Sequence, residues 1–205
     1  MFSSLADRRR FLQSAAIVSG MVSMPATAQD KAQSKVRFAI AVHGGAGKSP
    51  ADEAKAVEAS LAKALDIGLD VLRKDGTSLD AVEQVIRFLE DDPLFNAGKG
   101  AVFNAAGTHE LDASIMDGRT LGGGAVAAVR TVRHPISLAR LVMEKTKHVL
   151  LTSDGAEEFA DEMHVERVEN SWFSTEKRRQ ELEKARKAEA TDKQSCSDEI
   201  GRAHV

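Results

Sequence analysis

Residues 93–129, PLFNAGKGAVFNAAGTHELDASIMDGRTLGGGAVAAV, decide how the chain is read. The stretch holds two glycine-flanked loops, an acid-bearing strand, an Asp-Gly turn and a small apolar strand, with no linker between them. Asn96-Ala97-Gly98 and Gly100 give a backbone that reaches positive φ and approaches a ligand or another chain closely, because little side chain stands in the way. Alternation then puts Glu110, Asp112, Ser114 and Met116 on one strand face and Leu111, Ala113 and Ile115 on the other. Asp117-Gly118 is a hairpin signal. Residues 121–129 supply the return strand, and Gly122, Gly123 and Gly124 make it thin enough to lie under another layer.

The flanking sequence predicts a helical cover. Residues 49–74 read as one helix with Ala54, Val57, Leu61, Ala64, Leu65, Ile67 and Leu72 on an apolar face, ended by Asp75-Gly76. Ser78 is placed as the cap of a second helix carrying Ala81, Val82, Val85, Ile86 and Leu89, stopped by Pro93. Residues 36–42 (VRFAIAV) read as a strand buried on both faces. They lead into His43-Gly44-Gly45-Ala46-Gly47-Lys48-Ser49. A phosphate loop fails there on spacing, since Val42 stands where a glycine is needed and Pro50 removes a donor. The competing reading is a small-residue turn packed against a sheet, with His43 a hydrogen-bonded structural histidine. Downstream, Pro135 opens a helix, residues 149–151 read as a short buried strand, and Ser153 or Asp154 caps the next helix.

Several chemistries lack their parts. A net charge of -3 and 4% aromatic residues argue against a nucleic-acid surface. Glu110, Asp112 and Asp117 do not complete a divalent-metal or glycosidase site, so salt-bridging and hydrogen bonding within the sheet are their expected work, with Asp117 opening a turn. His134, His148 and His164 show no ligand spacing. The single cysteine, Cys196, leaves no internal disulfide. The loop after the second helix is different. Its carbonyls cannot all pair in regular structure and need water, side chains or a cation.

The run Leu89-Glu90-Asp91-Asp92-Pro93-Leu94-Phe95-Asn96-Ala97-Gly98-Lys99-Gly100, followed by His109-Glu110-Leu111-Asp112-Ala113-Ser114-Ile115-Met116-Asp117-Gly118, resembles the plant-type L-asparaginase/isoaspartyl peptidase family of threonine-type N-terminal-nucleophile hydrolases. His43-Gly44-Gly45-Ala46-Gly47, His134-Pro135-Ile136-Ser137-Leu138-Ala139-Arg140, Gly155-Ala156-Glu157 and Phe159-Ala160 continue the resemblance in the family's order, over about 36–192. It covers the family's α-subunit alone. The resemblance implies an α/β fold, here the N-terminal half of an αββα four-layer sandwich. It implies a structural sodium held by the main-chain oxygens of Leu89, Glu90, Asp92, Phe95, Ala97 and Lys99, with Lys99 turning its side chain away. An ion-free Asn-Gly-rich connection remains the alternative. Asn96 is implied to lie beside the catalytic threonine and help fix it.

The activity implied is hydrolysis of asparagine to aspartate and ammonia, and cleavage of β-aspartyl dipeptides. It proceeds through a threonine exposed by autoproteolysis, whose own α-amine activates the hydroxyl. Partners implied are these small substrates and the enzyme's own β-subunit in an (αβ)2 assembly, with no cofactor for the chemistry, no nucleic acid, and no membrane for the mature form. The Gly-Thr-Val triplet of the family's cleavage site does not occur here: Thr175 precedes Glu176 and Thr191 precedes Asp192. Neither the nucleophile nor substrate-binding residues are therefore assigned to this chain, which is expected to be inactive by itself. A glycosylasparaginase-like amidase and a non-catalytic α-half needing a separate β-half are the alternatives.

The ends carry their own expectations. Arg8-Arg9-Arg10 before an apolar run and Ala26-Thr27-Ala28 predicts a twin-arginine export signal over 1–28, placing the mature protein in the periplasm or beyond. A tail at 29–35 and the hydrolase half at 36–170 follow, then a mobile helical linker at 171–194. Residues 199–205, EIGRAHV, match the translation of a sequencing adapter, and 195–205 are expected to be non-native.

Overall fold

The structure is a computed structural model that describes residues 38–46 and 51–202, with side chains over 53–189 of the second span. The expected export signal and the tail at 29–35 lie outside the described residues.

Helix α1, Ala51–Arg73, turns Val57, Leu61 and Ala64 toward a core shared with Val85, Leu89 and Phe95. Its end is a Schellman motif: Gly76 N–H donates to Val71 O at 2.9 Å and Asp75 N–H to Leu72 O at 3.3 Å. The left-handed residue is Asp75, at φ 59. Gly76 is needed for a different reason, because a Cβ there would stand 2.6 Å from Val71 Cγ1.

Helix α2 runs Ser78–Asp91, and its cap is Thr77, not Ser78. Asp80 N–H donates to Thr77 Oγ1 at 3.1 Å while Thr77 N–H returns to Asp80 Oδ2 at 3.1 Å. This reciprocal pair satisfies two orphan donors at once, which a serine one position later could not.

Residues 38–42 are extended but pair with no strand among the described residues, which corrects the reading of a strand buried on both faces. Phe38, Ile40 and Val42 are half-buried while Ala39 and Ala41 are exposed, so one apolar face is laid on the helix pair. The turn that follows also packs on a helix and a loop instead of a sheet. A Cβ on Gly44 would meet Leu61 at 3.1 Å and Phe95 at 3.2 Å.

The sheet has the order β1-β2-β3, with β1 Leu111–Asp117 antiparallel to β2 Gly122–Val129, and β2 parallel to β3 Leu150–Thr152. Strand β1 alternates as expected: Leu111 and Ile115 are buried, Asp112, Ser114 and Met116 exposed. The hairpin is tied by Asp117, whose Oδ1 accepts Arg119 N–H at 2.9 Å and whose Oδ2 accepts the Thr120 hydroxyl at 2.9 Å. Positive φ falls on Leu121 (φ 58), not on Gly118. A bulge opposite Leu111 and Ala113 drives Ala128 to φ 55, and Asp112 Oδ1 takes the Ala128 N–H at 2.8 Å.

Helix α3, Pro135–Lys145, lies so close over β2 that a Cβ on Gly124 would overlap Ala139 O and stand 2.6 Å from Met143 N. Helix α4, Ser153–Glu162, closes the same core with Ala156 and Ala160. Its N-cap is Thr152 without a side-chain hydrogen bond, which corrects the assignment to Ser153 or Asp154. Residues 149–151 are also corrected: Val149 and Leu150 are 66% and 51% exposed. Strand β3 ends the sheet, and no strand among the described residues pairs with its outer edge.

Packing continues past residue 170, beyond the expected start of the linker. The short 3-10 helix Asn170–Phe173 buries Phe173 completely, and helix α5, Glu176–Arg202, begins only after Ser174 and Thr175.

Candidate functional site

The loop that joins α2 to the sheet is built by rejecting helix. Asp92 leaves the helical region at φ -91, ψ 115, Pro93 has no N–H to donate, and Asp92 Oδ1 accepts Leu94 N–H at 3.0 Å. The other carboxylate oxygen of Asp92 accepts the Ser60 hydroxyl of α1. Phe95, 7% exposed, anchors the loop in the helical core, which leaves Asn96 exposed at the tip.

The chain then folds back over the end of α2. Lys99 N–H donates to Glu90 O at 2.7 Å, with Gly98 at φ 58 and Gly100 at φ 105. Gly100 is held from both sides, its N–H by Phe173 O at 2.9 Å and its carbonyl by Arg178 Nε at 2.7 Å. Two cations, Lys99 Nζ and Arg133 Cζ, stand 5.3 and 5.2 Å from the centre of the Trp172 ring. The ammonium of Lys99 is thereby directed at the indole.

The six candidate cation ligands are main-chain carbonyls of the last turn of α2 and of the loop after it. Those of Leu89, Glu90 and Asp92 each accept a main-chain N–H from the loop. Those of Phe95, Ala97 and Lys99 accept none from main chain among the described residues. A carbonyl has two lone pairs, so the set retains free oxygen valence at the C-terminal, partially negative end of a helix. Main-chain oxygens without carboxylates are the donor chemistry that suits a monovalent cation.

Beneath the loop, Glu90 is 3% exposed. Its Oε1 accepts Ile136 N–H at 3.0 Å, and its Oε2 lies 3.2 Å from Nδ1 of His134, itself 3% exposed. Burial pushes the Glu90 carboxyl up, against the pull of His134 and of the Ile136 amide. Where the chain enters β1, His109 is fully buried between Phe103 and Phe173. Desolvation holds its pKa down, against the pull of the Val102 carbonyl. In the neutral ring Nδ1–H donates to Val102 O at 3.1 Å, so Nε2 accepts the Ser174 hydroxyl at 3.0 Å. Asn170 completes the lock by accepting His109 N–H at 3.0 Å and donating to His109 O at 2.9 Å.

The remaining sequence candidates do not join this site. His43 is exposed, its Nδ1 accepting Gly45 N–H at 3.1 Å. Glu110 is exposed, and Asp112 and Asp117 serve the bulge and the hairpin. Among the described residues no group of three His, Cys, Asp or Glu side chains could hold a metal. Four participants escaped the sequence reading: His109, Asn170, Trp172 and Arg178. The one local signal was the apolar pair Trp172-Phe173 in a polar stretch.

The family model for asparaginase matches residues 36–204. The chain belongs to the asparaginase family. Among relatives of this family, it is 45% identical over 163 residues to the isoaspartyl peptidase/L-asparaginase of Macaca fascicularis, a match covering 79% of this chain and 53% of that protein. The isoaspartyl peptidase/L-asparaginase of Homo sapiens is 44% identical over the same shares. A probable isoaspartyl peptidase/L-asparaginase 2 of Arabidopsis thaliana is 48% identical over 142 residues, 68% of this chain and 44% of that protein. The chain spans about half the length of the curated relatives it matches, and the asparaginase-family match takes in the Asn96 loop, the sheet and α3.

Proposed function

We propose that this chain is the α-subunit part of an exported isoaspartyl peptidase/L-asparaginase, and that its work is to present Asn96 and a sodium-binding loop to a threonine nucleophile that this sequence does not hold. The observation that carries the reading is the match of 36–204 to the asparaginase family, made by a chain without a Gly-Thr-Val triplet. In this reading the sheet face bearing Asp112, Ser114 and Met116 is covered by the second sheet of an αββα sandwich, and two αβ units assemble.

The chain's own residues supply position. Asn96 is exposed on a loop tied down at Ser60, Phe95, Glu90 and Phe173, so its amide is offered without first being ordered. The oxygens of Leu89, Glu90, Asp92, Phe95, Ala97 and Lys99 would hold the sodium ion. When bound, the ion supplies neutralisation of the gathered carbonyl dipoles and takes no part in bond breaking.

The test is ammonia release from asparagine by residues 29–194, alone and co-expressed with the β-part of a relative. No release alone and release on co-expression support the reading; turnover by 29–194 alone overturns the placing of the nucleophile. Sequencing the source DNA across Gln194 tests the adapter reading separately.

A further inference from the structure

Glu90 makes contacts with its side chain that the proposed chemistry does not require. Helix α3 begins with Pro135, which has no N–H, after an N-cap, His134, that makes no side-chain cap. The first free donor of the helix is therefore Ile136 N–H, and Glu90 accepts it from 46 residues away at 3.0 Å. A carboxylate at a helix N-terminus is favoured by the partial positive charge there, and burial strengthens the contact. The second oxygen faces His134 Nδ1 at 3.2 Å, and His134 Nε2 stands 3.7 Å from Asp91 Oδ2. The same residue's carbonyl takes Lys99 N–H at 2.7 Å, and Gly98 is pressed on its backbone.

We propose that Glu90 is a positioning residue, a side chain that caps α3 from outside and so sets, through its own backbone, the loop that presents Asn96. Residues 92–100 have no regular structure of their own; Arg87, Glu83 and Arg140 also join α2 to α3, but Glu90 is the group that bonds the helix start with its side chain and the loop with its carbonyl. The functional importance of the loop rests on the reading above, whereas the mechanical link does not.

Hydrogen exchange on the full chain tests it, following peptides from 93–101 against peptides from β2 and α3. Glu90→Ala should speed exchange of the loop about tenfold with β2 unchanged. Glu90→Gln, which keeps an oxygen for Ile136 and an amide facing His134, should restore protection to within about threefold. Val142→Ala, a core deletion in α3, is the control for general loosening. Loop exchange in Glu90→Ala equal to wild type, or raised no more than in Val142→Ala, overturns the proposal. If Glu90→Ala does not fold, His134→Gln decides: faster loop exchange with β2 unchanged supports the link, and unchanged loop exchange overturns it. Each readout is independent of turnover and is compared at one fixed sodium concentration, so failure of the enzymatic reading leaves a distinct signature.

Discussion

Gly98 is pressed onto Glu90 so closely that a Cβ in its place would overlap the Glu90 carbonyl oxygen and stand 2.9 Å from its Cα, at a φ of 58. The loop over α2 exists because this position has no side chain. Gly98→Ala combines a left-handed backbone with a backbone clash and should cost more than about 2 kcal/mol. Thermal melts should show a drop of roughly 5 °C or more. Gly118→Ala is the control, since nothing lies within 4 Å of a Cβ there and its melt should stay within about 1–2 °C of wild type.

The bulge in β2 depends on Asp112, which takes the Ala128 N–H at 2.8 Å. Asp112→Ala leaves that exposed donor to water and should destabilise by about 0.5–1 kcal/mol, while Asp112→Asn keeps an acceptor and should lose less than half of that. Urea titration of the three proteins checks the order.

Acid should loosen the start of α2. The Thr77 hydroxyl and the Arg140 guanidinium hold the Asp80 carboxyl at about 2, below its ordinary 3.8. A depressed carboxylate stabilises above its unfolded value, so this contribution is complete above pH 3.8 and is lost as pH falls through about 2. Asp80 is 41% exposed, so solvent limits the effect to less than about 1 kcal/mol. The stability gap between wild type and Asp80→Asn, followed by denaturant titration, should close between pH 4 and pH 2.

Asn96 is exposed and makes no hydrogen bond among the described residues, so removing its amide should leave folding unchanged. In enzyme completed by a β-part, Asn96→Ala should lower kcat about tenfold or more, with a melting shift below about 2 °C. Steady-state ammonia release with a parallel melt checks both halves.

Local chemistry made much of this readable. The loop at 92–100 was legible because proline cannot donate and glycine alone tolerates the close approaches, and strand β1 because its period of two separates Leu111 and Ile115 from Asp112 and Ser114. Motif order also identified the family. Misreadings fell where a local signal had two solutions. Thr77 displaced Ser78 because Asp80 answers it, and residues 38–42 packed one face on helices and pair with no strand among the described residues.

The sequence by itself determined which segments turn and which face of β1 is apolar. Only the tertiary structure decided that Glu90 caps a helix that begins 45 residues later and that His109 is sealed by Ser174 and Asn170. Such pairings are chosen by which donors are left without water when distant elements close on one another, and no spacing along the chain encodes that.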